Sequence, residues 1–169
     1  MNEKIYMGID PQPSEIDVHI RNSKGETLYW CQHYLEVKSS FSRAQDWQEY
    51  IWRQCNLLFE TCLSKVKRID VCGFEQQRGR INSMIEQSLL GCCMIKNIKR
   101  VILHPLTWKK LVGLKPQGSN AKNKKHVTML LANELVKHNP HWKDLTRVHD
   151  LCDAWFISKA THIIDSKQV

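Results

Sequence analysis

The chain has 169 residues, 42% hydrophobic and 25% charged, which is typical of one folded domain of a globular protein. It contains no apolar run near the ~20 residues of a membrane-spanning helix and no signal-peptide core, so we expect an intracellular protein with no membrane partner. The formal net charge of +8 does not define a function by itself, but its distribution along the chain is informative.

The excess positive charge lies in one segment, between Gln87 and Asn133. This segment has no Asp or Glu and contains Lys96, Lys99, Arg100, Lys109, Lys110, Lys115, Lys122, Lys124 and Lys125. The rest of the chain carries nearly equal numbers of basic and acidic residues. Such a segment is typical of proteins that bind a polyanion, usually nucleic acid, although a solvated basic face is the simpler alternative.

The seven cysteines include no Cys-x-x-Cys pair. Several fall at positions where we expect a buried helix or strand. Both a disulfide framework and a structural zinc site are therefore disfavoured. We expect reduced thiols in the core of the protein.

Three strands are predicted at the beginning of the chain. Residues Lys4–Asp10 are apolar and end in an acid, and Glu15–Arg21 alternates between apolar and polar side chains, the period of a half-exposed strand. A turn at residues 23–25 leads to a third strand over Thr27–Val37. The short connections favour an antiparallel meander.

Helices and strands then alternate. The predicted elements are a helix with an apolar stripe from Trp47 to Val66, a strand over Arg68–Glu75, a helix over Ile81–Ile95, a strand over Val101–His104, a brief helix over Thr107–Leu114, a polar loop over Lys115–Lys125, and helices over Val127–Lys137 and Leu145–Ile164. This order predicts an α/β fold with a mixed five-stranded sheet, three antiparallel strands and then two parallel ones, flanked by helices. No repeat or long linker divides the chain, so we expect a single domain over residues 1–169.

Four carboxylates fall where such a fold brings side chains together. Asp10 ends the first strand and Glu75 the fourth, each in a Gly-x-acid sequence, while Asp150 and Asp153 lie three residues apart near the start of the last helix. A helix across the rim where two parallel strands end would unite all four acids. Mg²⁺ and Mn²⁺ prefer such oxygen ligands, and two ions about 3.5–4 Å apart serve phosphoryl transfer. The sequence therefore predicts a metal site for phosphodiester chemistry.

Each acid taken alone has a simpler interpretation. Asp10 could begin a turn, and Asp150 could cap the last helix. Glu75 could pair with Arg78 or Arg80. The combination is more specific, because two separate apolar strands end in Gly-x-acid and an Asp-x-x-Asp sequence opens an apolar helix.

The sequences GID, GFEQ and DLCDAW, in the first strand, fourth strand and last helix, resemble the acidic motifs of RuvC-type Holliday-junction resolvases of the RNase H-like superfamily. The resemblance covers essentially the whole chain. Its length, numerous cysteines and lysine-rich loop are more similar to the poxvirus branch than to the bacterial one, which would place the protein in the host cytoplasm. Residues 11–13 depart from the bacterial pattern, because Pro-Gln-Pro stands where a Gly-Ser-type turn is preferred.

The resemblance implies an RNase H-like fold and a homodimer that cuts two opposed strands of a four-way DNA junction, leaving ligatable nicks with 5′-phosphates. It implies Mg²⁺, with Mn²⁺ as a substitute, two ions per active site and no small-molecule cofactor. The implied catalytic residues and metal ligands are Asp10, Glu75, Asp150 and Asp153. His149 directly precedes the third acid, and a supporting role near the metals stays open.

DNA contacts are expected from the basic loop and from the residues just past the fourth strand. The candidates are Lys115, Lys122, Lys124 and Lys125 on the loop, and Gln76, Arg78 and Arg80 after the strand. Lysine binds phosphate as a point charge without reading base sequence, so we expect recognition of shape by a dimer. The second group could instead be a solvated helix start.

Two further features have two interpretations each. The helix over Ile81–Ile95 is apolar on more than one face, which fits either a dimer seam or a core helix. Several tryptophans could stack on unpaired bases or pack in the core: Trp47, Trp52, Trp108, Trp142 and Trp155.

Other activities are consistent with the same fold. A ribonuclease H, an exonuclease or a transposase-type catalytic core would use similar acids, although no domain for transposon ends is visible. A non-catalytic DNA-binding protein could keep the fold and tolerate replacement of Asp153.

Overall fold

A mixed five-stranded sheet with helices on both faces forms the part of the chain that the structure describes. The structure is a computed structural model and describes residues 3–36, 44–76, 79–114 and 148–167, without the side chains of 148–150. The strands are β1 (Ile5–Pro11), β2 (Glu15–Asn22), β3 (Thr27–Tyr34), β4 (Val71–Glu75) and β5 (Lys99–Leu103). The helices are α1 (Ala44–Val66), α2 (Arg80–Ile95), α3 (Pro105–Leu111) and α4 (Val148–Lys167).

The strands are ordered β3-β2-β1-β4-β5. β1 pairs antiparallel with β2, and β2 with β3, while β1 with β4 and β4 with β5 are parallel pairs. The parallel connections each contain a helix, α1 before β4 and α2 before β5, as parallel neighbours require. The predicted fold class is confirmed.

Some elements begin at other residues than predicted. Helix α3 starts at Pro105 rather than Thr107, because proline suits the first helical position and His104 Nδ1 accepts a hydrogen bond from the Leu106 N–H at 3.3 Å. Strand β5 starts at Lys99, whose N–H donates to the Asp70 carbonyl oxygen at 3.1 Å. The predicted loop over 115–125 and the helix over 127–137 lie outside the described residues.

Two apolar clusters cover the two faces of the sheet. On one face α1 and α2 pack their buried side chains, among them Phe59 and Leu89, against Ile16 and Phe74. On the other face α3 and α4 contribute a second cluster that includes Trp108. Six of the seven cysteines are buried and all seven are free thiols, as predicted. No helix in the described ranges is long and apolar enough to cross a membrane.

Helix α4 lies in direct contact with the middle of the sheet. Gly8 of β1 and Gly73 of β4 are register partners under the helix. A Cβ atom at Gly8 would overlap with the backbone of Ala154 and Ser158, and one at Gly73 would overlap with the side chain of Thr161. Only glycine allows such an approach within a strand, so both glycines of the Gly-x-acid sequences fix the height of α4 above the sheet.

The polar face of β2 is buried, which corrects the expectation of a half-exposed strand. All eight residues of β2 are buried, because α4 covers the face opposite the α1–α2 side. His19 Nδ1 lies 2.9 Å from the Ser158 hydroxyl and its Nε2 lies 3.0 Å from the Thr27 hydroxyl. Burial, and secondarily the charge of Arg21, lowers the pKa of His19 to about 3. The ring is therefore a neutral, hydrogen-bonded core group.

A cluster of charges ties the far end of α4 to the sheet. The buried Asp165 carboxylate accepts hydrogen bonds from Lys4 Nζ at 2.8 Å, from Lys99 Nζ at 2.6 Å and from the Tyr6 hydroxyl at 3.2 Å. Burial opposes its ionisation, but the two lysines outweigh that effect and hold the pKa of Asp165 below its usual value. Helix α4 is thus anchored at the edge opposite the carboxyl ends of β1 and β4.

Replacing either strand glycine by alanine should displace α4. We expect Gly8→Ala and Gly73→Ala each to reduce the free energy of unfolding by about 3 kcal/mol, the upper part of the range for overpacking a core. Thermal and denaturant unfolding, followed by circular dichroism, measure this change.

The obstacle at Gly73 is a side chain, whereas the obstacle at Gly8 is backbone. Thr161→Ala should therefore recover part of the stability that Gly73→Ala removes, and none of the stability that Gly8→Ala removes. If the changes in the free energy of unfolding simply add when Thr161→Ala is combined with either glycine variant, direct packing of Thr161 on Gly73 would be contradicted.

Candidate active site

A row of polar side chains crosses the face of the sheet that α4 covers. Asp10 of β1 is the register partner of Asp17 of β2, which is itself the partner of Gln32 of β3. β1 pairs in parallel with β4 as far as Ile9 and Phe74, and Glu75 is the next residue of β4, on the other side of Asp10. Side chains in register share a face, so these groups lie side by side. Two of the predicted acids, Asp10 and Glu75, are thus neighbours.

Helix α4 adds a third predicted acid to this row. Ala154 lies over Gly8, and the preceding residue, Asp153, is half-buried and interacts electrostatically with Asp10. Asp150 lies one turn earlier in α4, and its side chain lies outside the described part, as does that of His149. Because Asp150 is within the helix, its interpretation as the capping residue is wrong.

Asp10 is buried among other carboxylates. Its side chain is 5% exposed. Burial raises the pKa of Asp10 well above its usual range, and the charges of Asp153, Glu75 and Asp17 raise it further. Gln12 acts in the opposite direction, since its Nε2 donates to Asp10 Oδ2 at 3.2 Å. A site that opposes the ionisation of an acid in this way favours a bound cation.

Glu75 has a different environment. It is half-buried at the end of β4, and its Oε2 accepts a hydrogen bond from Trp108 Nε1 at 2.6 Å. Trp108 is fully buried, which excludes it from stacking on a base. Among the other candidates for stacking, Trp52 lies on the opposite side of the sheet against Gly91, and Trp142 lies outside the described residues.

Asp17 and Gln32 complete the site in a way that the sequence analysis missed. Asp17 is fully buried, and Gln32 Nε2 donates to its Oδ1 at 2.7 Å. The sequence places Asp17 on the polar face of β2, which the alternation predicts to be the solvent side. The register of the predicted hairpin was the available signal, because it places Asp17 beside Asp10. For the contact between Trp108 and Glu75 the sequence contains no specific signal.

The donor set fits a hard divalent cation. Among the side chains that the structure describes, no three His, Cys, Asp or Glu groups are placed to hold a metal by themselves. Mg²⁺ keeps several waters and commonly takes one or two carboxylates together with phosphate oxygens of a substrate. Asp10, Glu75 and Asp153 carry carboxylate oxygens of that kind, and a cation would relieve the effect of Glu75 and Asp153 on the ionisation of Asp10.

The predicted DNA contacts are only partly within the described residues. Gln76 and Arg80 are both exposed beside the end of β4. The Gln76 N–H donates to the Leu103 carbonyl oxygen at 2.9 Å directly after Glu75, and Arg80 is the first residue of α2. Arg78 and the four loop lysines, Lys115, Lys122, Lys124 and Lys125, lie outside the described residues.

Among the solved structures that resemble this chain are two of RuvC. "T. thermophilus RuvC in complex with Holliday junction substrate" gives a TM-score of 0.61 at 14% identity, covering 98% of this chain and 96% of that chain. A structure of Thermus thermophilus RuvC alone gives 0.62 at 15% identity, covering 97% and 96%. No protein-family model and no curated protein sequence matches. At this identity the likeness shows the fold, which is the RuvC-like form of the RNase H-like fold.

Asp10→Asn should stabilise the cation-free protein near neutral pH. A pKa raised by folding means that stability is present at low pH and declines as the pH rises through the folded-state pKa. Asparagine does not ionise, so we expect the free energy of unfolding of the variant to exceed that of the wild type at pH 7.5 and to approach the wild-type value at pH 4. Thermal unfolding in EDTA between pH 4 and pH 8 measures it.

Glu60→Gln provides the matched control, because Glu60 is an exposed acid on α1, on the other side of the sheet. Its stability profile should follow that of the wild type. If the stability of Asp10→Asn followed that of the wild type across this pH range, burial and the neighbouring carboxylates would not oppose the ionisation of Asp10.

Proposed function

We propose that this chain is a metal-dependent endonuclease that resolves four-way DNA junctions. The observation that carries the proposal is the meeting of Asp10, Glu75 and Asp153, from β1, β4 and α4, on one face of the sheet. The likeness to RuvC in complex with a junction substrate supports this substrate over others. The proposed nuclease domain spans residues 1–169.

The acids have one shared role in this proposal. Asp10, Glu75, Asp150 and Asp153 bind Mg²⁺ or Mn²⁺, two ions per site, with no small-molecule cofactor. Such ions supply an activated water and stabilise the leaving oxygen of a phosphodiester. Burial of Asp10 keeps water from screening its charge, while Glu75 and Asp153 are half-buried beside it.

The DNA partner is recognised by charge and shape. Gln76 directly follows Glu75 and Arg80 begins α2, both exposed, and we propose with them Arg78 and the loop lysines at 115, 122, 124 and 125 as phosphate contacts. Lys109 and Lys110 lie in the last turn of α3, directly after the tryptophan that contacts Glu75, so the basic segment continues from this contact toward the loop.

A homodimer belongs to the same proposal, since symmetric cutting needs two sites. Helix α2 packs Ile85 and Leu89 in the core and also presents Met94 and Ile95 to solvent, 64% and 70% exposed, which supports both interpretations of this helix. The assignment to the poxvirus branch, and with it a host-cytoplasmic site of action, is supported by the chain length, the cysteines and the lysine-rich loop.

The proposal predicts paired, symmetric nicks in a synthetic four-way junction with Mg²⁺. A matched linear duplex and an RNA–DNA hybrid should stay intact, because only the junction offers the shape for two sites. Gel analysis of end-labelled strands measures this. Cleavage of the hybrid instead of the junction would identify a ribonuclease H, and degradation from strand ends an exonuclease.

Asp153→Asn separates a nuclease from a non-catalytic DNA-binding protein. We expect cleavage to fall at least 100-fold while junction binding in EDTA stays within about threefold, because the substitution removes a ligand without adding bulk. Glu60→Gln is again the control and should cleave as the wild type does. Unchanged cleavage by Asp153→Asn would contradict the proposed metal site.

Replacing Lys115, Lys122, Lys124 and Lys125 by alanine should weaken junction binding and flatten its salt dependence. Removing one lysine that binds a phosphate lowers the slope of log K against log salt by about 0.9. Titrations in EDTA at several salt concentrations give this slope. Four exposed basic residues outside the segment, Lys24, Arg53, Lys65 and Lys167, serve as the control of equal charge, and an equal effect would contradict a localised DNA contact.

A further inference from the structure

One hydrogen bond joins a proposed metal ligand to a side chain outside the acidic motifs. Trp108 Nε1 donates to Glu75 Oε2 at 2.6 Å. A hydrogen bond to a charged acceptor is shorter and stronger than one between neutral groups. Indole has a single donor, so this contact uses the whole hydrogen-bonding capacity of Trp108.

The indole ring is itself held on several sides. Trp108 is fully buried, and its ring stacks on Phe156 with the centroids 6.3 Å apart and the planes at 24°. Phe156 follows Asp153 by three residues on α4, so the same helix supports the ring and supplies an acid. Lys109 Nζ lies 5.1 Å from the Trp108 ring centroid. The donor is therefore fixed relative to both β4 and α4.

Glu75 needs such a fixed donor more than the other acids do. Its side chain has one more rotatable bond than aspartate, and it stands half-buried at the last residue of β4. Ordering a glutamate side chain carries an entropic penalty of up to roughly 2 kcal/mol. A rigid donor on Oε2 selects one orientation of the carboxylate before any ligand arrives.

We propose that Trp108 is a positioning residue, which holds the Glu75 carboxylate in the orientation in which it binds a divalent cation. The inference rests on the proposed function, because it takes Glu75 to be a metal ligand. Removal of an outer-shell partner typically weakens metal affinity by 10–100-fold.

Trp108→Phe tests the inference, since it keeps an aromatic ring on Phe156 and removes the N–H. Titration of EDTA-stripped, full-length protein with Mn²⁺ in a calorimeter should give a Kd about 10-fold higher than that of the wild type. Cleavage should need about 10-fold more Mn²⁺ for half-maximal rate and recover most of its rate at saturation. Trp155→Phe is the matched control, because Trp155 contacts Phe156 in the same apolar cluster, and its Mn²⁺ affinity should not change.

A double-mutant cycle distinguishes positioning from a general loss of structure. If Trp108 acts through Glu75, Trp108→Phe should weaken Mn²⁺ binding in the wild type and have little further effect in a Glu75→Gln background. An equal loss in both backgrounds would assign the effect to packing and overturn the inference.

The same titrations separate this inference from the proposed function. Wild-type affinity in Trp108→Phe, together with loss of Mn²⁺ binding in Asp10→Asn, would overturn the role of Trp108 and leave the metal site standing. Absence of Mn²⁺ binding by the wild-type protein would overturn both.

Discussion

The contact between α4 and the two strand glycines is the constraint on which the site depends. Gly8 and Gly73 lie side by side, and without side chains they let the helix rest on the backbone of β1 and β4. The acids that follow them by two residues, Asp10 and Glu75, point to the same face because side chains alternate along a strand. Asp153 then reaches them from above. The Gly-x-acid sequences of the two parallel strands therefore act together. Each glycine allows α4 to approach the sheet, and the acids two residues later lie on the face that the Asp153 side of α4 covers.

This arrangement places carboxylates beside the buried Asp10, which opposes the ionisation of Asp10 and lowers the stability of the fold near neutral pH. Burial and three neighbouring carboxylates oppose the ionisation of Asp10. A stabilising contribution to the fold comes from the other end of the same helix, where the Asp165 carboxylate accepts hydrogen bonds from two lysines and a tyrosine. One end of α4 thus lies against the carboxylate of Asp10, and the other end carries a carboxylate that two lysines neutralise. Functional sites of this kind commonly rely on the remainder of the fold for their stability.

Sequence patterns predicted most of the fold, because apolar periodicity and short connections specify a meander followed by helix–strand alternation. They also predicted which strands end at the site. They failed at β2, where alternation of Asp17 and His19 with apolar residues indicated a solvent face, although α4 covers it. Alternation of apolar and polar residues shows that a strand has two different faces, but it does not show whether another element covers the polar face. Trp108 was not predicted for a related reason, since a tryptophan on a short helix carries no sign of which polar atom its N–H meets.

The charge cluster at Asp165 also bears on how the molecule folds. Its hydrogen bonds to Lys4 and Tyr6 join residues 161 and 159 positions apart. Contacts of such sequence separation lose much chain entropy on formation and tend to slow folding. The β-meander and the pairs formed by α1, α2 and the strands beside them are far more local, so they can form before α4 docks. Docking of α4 then completes the acidic site, so a partly folded chain would carry the basic segment without the assembled row of acids.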